Sequence, residues 1–425
     1  MWLLGTVVDK GTFGVEIDSL RTCKTRIRIR RHLQIFLLMS PASMTVRPVP
    51  TLLPLNTQRP VPKLKKRAVR LMHELSYRSG ISSAYAWLKE CFKGQSVASI
   101  LMYHSVPSAD EQPWIDPRNC LSAEQFEAQM QFLAKRRHVV SVDELTKQLM
   151  AGEPIRRGTV AITFDDGYLN NLRVAAPILQ KYGLPATLYL ATAYVNAGEN
   201  QWIDTLYSAF RARSRHRLSL EMVNRRVVWD LAQVAECEAA YRAIASYLIE
   251  CLPAERRAIL QMIDEQLSPT AYPPRLTMTW DEVRELRSRF PNITLGVHTA
   301  NHIDLRTHSD RTDKEMSLSI SQVLNETGER PQHLAFPYNR YNEESMSQAA
   351  EHLRSAVAVA DDPVVRSSGG AISKRIDSPM PAQTSLFALP RLEAPQSLTL
   401  LKSWTNGGFP DVTRVLFGKV WTQPY

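Results

Sequence analysis

The stretch Val160-Ala161-Ile162-Thr163-Phe164-Asp165-Asp166-Gly167-Tyr168 carries an apolar run straight into two adjacent carboxylates and a glycine. A short apolar run closed by a glycine turn reads as a buried strand, and a strand that ends in acids presents them at a sheet edge. Adjacent ionised carboxylates repel, so keeping both charged near neutral pH calls for a cation, and a metal ion is the compact form. The other ligands of such an ion have to come from other strand ends.

Outward from this point strand and helix patterns take turns. Strands are expected at 97–103, 159–164, 186–191, 293–297, 333–338, 355–360 and 386–389, with helices at 122–135, 170–182, 312–324 and 343–353. The first of these helices opens with Ser122 and Glu124 as capping signals. Residues 204–267 are charged, helical in pattern and too long for a connection, so they read as an inserted helical subdomain. Such alternation implies parallel strands in an α/β layer or barrel, with the site at the carboxyl ends of the strands.

The polar residues fall where that rule puts them. His298-Thr299-Ala300-Asn301-His302 follows the expected strand 293–297, and if that turn is helical the two imidazoles project from one face. Two imidazoles and one carboxylate make a three-ligand set with an open position for water, as in hydrolytic zinc sites. Ala335-Phe336-Pro337-Tyr338-Asn339 closes another strand and Tyr103-His104-Ser105 the first. Trp202, Asp204, Trp280 and Tyr338 are candidates for lining a groove, one that by the resemblance given below would take a sugar, against an ordinary core role for the tryptophans. His308, His333 and His352 read as structural or exposed.

Composition narrows the function classes. Of 425 residues 44% are hydrophobic, enough for a large core with appendages or for two domains. The net charge of +10 is local: 14 Lys and Arg against 3 acids lie before Leu71, a surplus that leaves the remainder near neutral. That argues against a nucleic-acid-binding face on the globular part. The five cysteines, Cys23, Cys91, Cys120, Cys237 and Cys251, are scattered without a C-x-x-C pair, which disfavours a disulfide framework or thiolate zinc site. Residues 1–62 read as a poorly ordered, basic, proline-rich extension, or as sequence upstream of a start at Met44 or Met72. Residues 63–96 read as a basic amphipathic helical segment, either lying on an anionic membrane surface or packed on the domain as a solvated helix. The apolar piece 33–39 is short and late for a signal peptide, so the expected compartment is the cytoplasm, peripheral at the inner membrane; a different start leaves the periplasm or export open.

The acid-pair stretch, the His298 to His302 segment and Phe336-Pro337-Tyr338 resemble, in order and spacing, the motifs of the polysaccharide deacetylases (NodB-homology, carbohydrate esterase family 4). Leu101-Met102-Tyr103-His104-Ser105-Val106-Pro107 and Leu389-Pro390-Arg391-Leu392-Glu393 resemble the exopolysaccharide-associated subgroup, including poly-N-acetylglucosamine deacetylases. The resemblance covers 97–395, leaving 396–425 as a C-terminal tail. It implies a distorted (β/α)7 barrel, a divalent ion with Zn2+ as first choice, and an amino-sugar polysaccharide or lipid-linked saccharide as substrate.

By the same resemblance Asp165 is the general base, and Asp166, His298 and His302 are the metal ligands. The backbone N–H of Tyr338 is the oxyanion donor. Ala335 stands where many members have an arginine that orients the base, and no late L-x-H histidine is present. The resemblance therefore points to His104 as general acid and to Arg391 as substitute orienter of Asp165. Two other readings stay open: a catalytically impaired carbohydrate-binding or assembly protein, and a glycoside hydrolase. The second fits poorly, because its acids must flank a bond roughly 5 to 9.5 Å apart.

Overall fold

A computed structural model of the chain describes residues 52–55, 71, 75, 78–80, 96–359, 364–367 and 385–406. All belong to the unit Pro50–Tyr425. The strands are β1 (Ser96–Tyr103), β2 (His138–Val140), β3 (Thr159–Phe164), β4 (Ala186–Leu190), β5 (Arg217–Met222), β6 (Arg225–Asp230), β7 (Ile293–Val297), β8 (His333–Ala335), β9 (Ser355–Val359), β10 (Val364–Ser367) and β11 (Leu389–Glu393). In the main sheet β1, β11, β9, β8, β7, β4 and β3 follow one another, and β3 pairs back onto β1. Every one of these pairings is parallel. The result is a closed seven-stranded (β/α) barrel.

The barrel is distorted at its amino-terminal end. β3 pairs with β4 only at Thr163 and Phe164, and β2 takes its earlier residues, Thr159 to Ala161. Likewise β1 gives its first residues to the antiparallel β10 and Ile100 to Met102 to β11. At the carboxyl end, where the candidate residues lie, the ring closes without these wedges.

Closure follows from sequence. The six residues of β3 and the five of β4 are buried throughout, as expected of parallel strands covered on both faces. Inside, Tyr189 stands opposite Gly296 in the β4–β7 register. A Cβ on Gly296 would come within 2.5 Å of the Tyr189 ring and 2.9 Å of the His333 carbonyl, so only glycine leaves room for that ring. Helices Ala123–Arg136, Val142–Ala151, Trp280–Arg289, Thr312–Thr327 and Glu343–His352 surround the barrel.

Several expectations shift. The capping box before Ala123 is closed by Gln125, not Glu124, because N3 is the position that can reach back to the cap. The helix expected at 170–182 starts as a π-helical turn, Asn171–Ala175, and becomes α only over Ala176–Lys181. Pro177, with no N–H to donate, accounts for the break in the ladder. The strand expected at 333–338 stops at Ala335, since Pro337 opens a turn. The last strand is Leu389–Glu393 rather than 386–389.

The insertion is a subdomain with its own core, running from helix Trp202–Ala212 through helices Val234–Glu250 and Pro253–Leu267. It is not all helical: β5 and β6 form an antiparallel hairpin. Leu55 is buried in this core and Leu53 N–H donates to Arg211 O at 2.9 Å, so residues 52–55 of the expected disordered extension are packed. The rest of 1–62 and most of the basic segment 63–96 lie outside the described residues; Leu71, Leu75 and Arg78 within it are helical. Among described residues no helix is long and apolar enough to cross a membrane. In the expected tail, Leu398–Trp404 is a helix.

Candidate metal centre at the barrel mouth

β3 runs directly into Asp165, whose N–H donates to Tyr103 O at 3.0 Å. Asp166 and Gly167 then take left-handed φ values of 74° and 79°. A Cβ on Gly167 would meet Leu190 Cδ2 at 2.9 Å, so the turn needs glycine for space as well as for φ. The left-handed residue takes Asp166 out of strand alternation, and the two acids reach different partners.

Asp165 faces Arg391 from β11 in a bidentate pair, Nη1 to Oδ1 at 2.7 Å and Nη2 to Oδ2 at 2.8 Å. Both residues are buried. Burial works to raise the Asp165 pKa, but the Arg391 and His298 charges outweigh it and hold the carboxyl below the usual carboxylate range. Asp165 is thus an ionised acid with its position fixed.

Asp166 has no such cation. Burial first, then the Asp165 and Asp204 charges, push its pKa well above the usual value, and its Oδ1 finds no hydrogen-bond partner among the described residues. Its nearest neighbours are His302 Nε2 at 3.3 Å and His298 Nε2 at 3.8 Å. His298 contacts the Ala335 carbonyl through Nδ1 at 2.7 Å, which leaves Nε2 unprotonated and free to ligate. Burial lowers the pKa of both imidazoles. One donor atom from each of Asp166, His298 and His302 lies within 4.8 Å of the others. A buried carboxylate driven toward protonation beside two neutral imidazoles is a donor set that a divalent cation satisfies.

The loop between the imidazoles is not helical. Thr299 and His302 take φ values of 62° and 50°, and Glu315 accepts from the Asn301 N–H and side-chain amide, both at 2.8 Å. His302 is further braced by the Tyr338 ring, edge-on at 4.4 Å.

His104 ends β1 at the same mouth. Burial pushes its pKa down to about 4, Asp165 opposing and the Arg391 and His298 charges adding to the fall. Tyr338 sits in the turn after β8 with φ 55°. Its N–H takes neither bond that closes the turn, Asn339 N–H to Phe336 O and Arg340 N–H to Pro337 O. Its hydroxyl donates to His302 O at 3.0 Å and accepts from Trp202 Nε1 at 2.6 Å. Asp165, Asp166, His298, His302, His104 and Tyr338, all at or just after strand ends, and Arg391 within β11 thus lie around one mouth.

Of the groove candidates only Tyr338 lies at the mouth itself, with Trp202 buried behind it. Trp202, Asp204 and Trp280 are all buried; Asp204 accepts from Tyr168 Oη at 2.8 Å at the seam between insertion and barrel. His308, His333 and His352 are engaged elsewhere, with Glu250 O, Ser355 Oγ and Asp313 Oδ1. Sequence reasoning missed Arg256, which carries Nη1 to within 3.3 Å of the His302 carbonyl.

Fold and site together define a class, a closed (β/α) barrel with a candidate three-ligand metal site beside an ion-paired carboxylate. Residues 152–356, just under half of the chain, match the family model described as polysaccharide deacetylase. The chain is 30% identical over 141 residues to the putative polysaccharide deacetylase YxkH of Bacillus subtilis (strain 168), covering 32% of this chain. The aligned part spans less than half, 45%, of that curated relative. Among solved structures, Streptococcus pyogenes deacetylase PplD in complex with acetate matches with TM-score 0.45 and 19% identity, over 72% of this chain and 97% of that one. IcaB from Ammonifex degensii matches with TM-score 0.44 and 15% identity, over 73% and 97%.

Proposed function

We propose that this protein is a metal-dependent hydrolase that removes N-acetyl groups from an amino-sugar polysaccharide or lipid-linked saccharide, in exopolysaccharide assembly. The observation that carries the reading is the division of the acid pair: Asp165 is salt-bridged and ionised, whereas Asp166 clusters with His298 and His302. Two imidazoles and a carboxylate suit Zn2+. Bound there, the ion supplies Lewis-acid polarisation of the acetamide carbonyl and a bound water of pKa about 7.

Asp165 takes the proton as the water oxygen bonds to the carbonyl carbon, and Arg391 keeps it ionised and oriented for that step. The Tyr338 N–H is the donor for the developing oxyanion. As the carbon–nitrogen bond breaks, the amine needs a proton. His104, which burial keeps neutral in the resting site, follows Tyr103, whose carbonyl accepts from the Asp165 N–H at 3.0 Å. The proton taken from water passes through His104 to the leaving amine, so atoms and charge balance without an outside acid.

Against glycoside hydrolysis, both acids converge on one imidazole nitrogen, His298 Nε2, at 3.9 and 3.8 Å, rather than flanking a bond from opposite sides. The test is metal content together with acetate release from N-acetylglucosamine oligomers. Metal with acetate supports the deacetylase, new reducing ends favour a glycosidase, and neither leaves a binding or assembly protein.

A further inference from the structure

Arg256, on helix Pro253–Leu267 of the insertion, is 2% exposed. Its guanidinium donates to three backbone carbonyls: Nε to Leu248 O at 3.0 Å, Nη2 to Cys251 O at 3.2 Å and Nη1 to His302 O at 3.3 Å. It stacks over the Trp202 ring at 5.0 Å. No ion pair among the described residues includes it. A buried cation surrounded by carbonyls and a π face, not a carboxylate, costs desolvation that core packing alone does not require.

The carbonyls of Leu248 and Cys251 belong to the insertion, and the third belongs to a metal ligand. The same His302 carbonyl accepts from Tyr338 Oη, which in turn accepts from Trp202 Nε1. Two donors therefore converge on one residue whose φ is 50°. A non-glycine residue in that region is strained and persists only where its surroundings over-determine it.

We infer that Arg256, with Trp202 and Tyr338, is a positioning unit for His302, and that the inserted subdomain is thereby a working part of the metal centre. This rests on Asp166, His298 and His302 holding a metal ion. The rival role for Arg256 is purely local, capping the carboxyl end of helix Val234–Glu250 through Leu248 and Cys251.

The full chain is stripped with a chelator and titrated with Zn2+ against a chromophoric chelator, and with Co2+ to read its visible absorption. Arg256→Lys keeps the charge but cannot bridge three carbonyls. It is expected to weaken Zn2+ binding about 10-fold or more and to alter the Co2+ spectrum, while in a His302→Ala background it adds no further loss. Unchanged affinity and spectrum with only a lower melting temperature would overturn the inference in favour of the cap. Should Arg256→Lys not fold, Trp202→Phe removes the donor to Tyr338 while keeping a ring under the guanidinium: weakened Zn2+ binding supports the inference and wild-type binding overturns it. A wild-type chain that binds neither ion removes the metal reading itself, a failure distinct from the other two.

Discussion

At the barrel mouth Asp165, Asp166 and His298 reach the site as side chains from strand ends, whereas the inserted subdomain reaches it through a backbone carbonyl, that of His302, held by Arg256 and Tyr338. The first region sets what chemistry is possible. The second sets where one ligand stands. Side-chain changes in the barrel should therefore abolish turnover with little change in fold, and changes in the insertion should grade metal affinity or stability.

The largest expected effects separate the acid pair. Asp166→Asn should lose bound metal together with activity. Asp165→Asn should stay metal-loaded with turnover down about 10²–10⁴-fold, the usual range for a lost acid–base group. Metal analysis beside acetate release checks both, and equal metal content in the two variants would erase the division.

Arg391 belongs to the barrel side of the comparison yet is also structural. Arg391→Met strips the buried Asp165 of its partner, and breaking a buried pair from one side costs about 3–5 kcal/mol. Urea denaturation should show that loss. The surviving enzyme should have its base titrate at higher pH, because burial then raises Asp165 with no guanidinium to oppose it. An unchanged acid limb of the rate profile would mean that Arg391 does not tune the base.

How much of this was legible follows the same line. The strands ending in Phe164 and Val297 coincide with their sequence readings, since fully buried parallel strands write themselves as apolar runs. Asp165, Asp166, His298 and His302 were legible as candidates because their side chains carry distinctive chemistry, whereas His104, Arg391 and the Tyr338 N–H were reached through the resemblance. Whether the loop His298 to His302 is helical was not legible, because nothing in Thr299 or His302 announces a positive φ. Arg256 was invisible for a related reason: its partners are carbonyls, which every residue has. β11 was placed early because Pro390 interrupts it; in the structure Pro390 pairs with β9 at Ala358, one residue before the pairing with β1 begins at Arg391.

At the seam between the regions, burial and the nearby Asp116 push Asp204 up to about 8, against the Tyr168 hydrogen bond. Unfolded, the group titrates near 3.9. Between these values the folded chain keeps a proton that the unfolded chain has lost, so stability falls as pH rises through about 4 to 8 and levels off above. Asp204→Asn should flatten that decline, by on the order of 4 kcal/mol between about pH 5 and 8, measured as the difference from wild type at each pH. Parallel curves would show that Asp204 titrates normally.

The smallest effect lies farthest from the chemistry. The β5–β6 hairpin turns through Val223 and Asn224, with φ values of 49° and 59°, and Val223 is 77% exposed. Two left-handed residues match the twist of a two-residue hairpin, but a β-branched side chain is poorly suited to that region. Its Cβ crowds the following carbonyl at a cost of about 1–2 kcal/mol, with no burial in return. Val223→Asn keeps the turn and relieves most of that strain, so it should raise unfolding stability by about 1 kcal/mol. Because the hairpin's hydrogen bonds to helix Pro253–Leu267 are made at Gln266 and not at Arg256, Zn2+ affinity should stay at the wild-type value. A variant that gained stability and also shifted metal binding would show that the insertion transmits strain as a whole, and that its hold on His302 is not confined to the guanidinium.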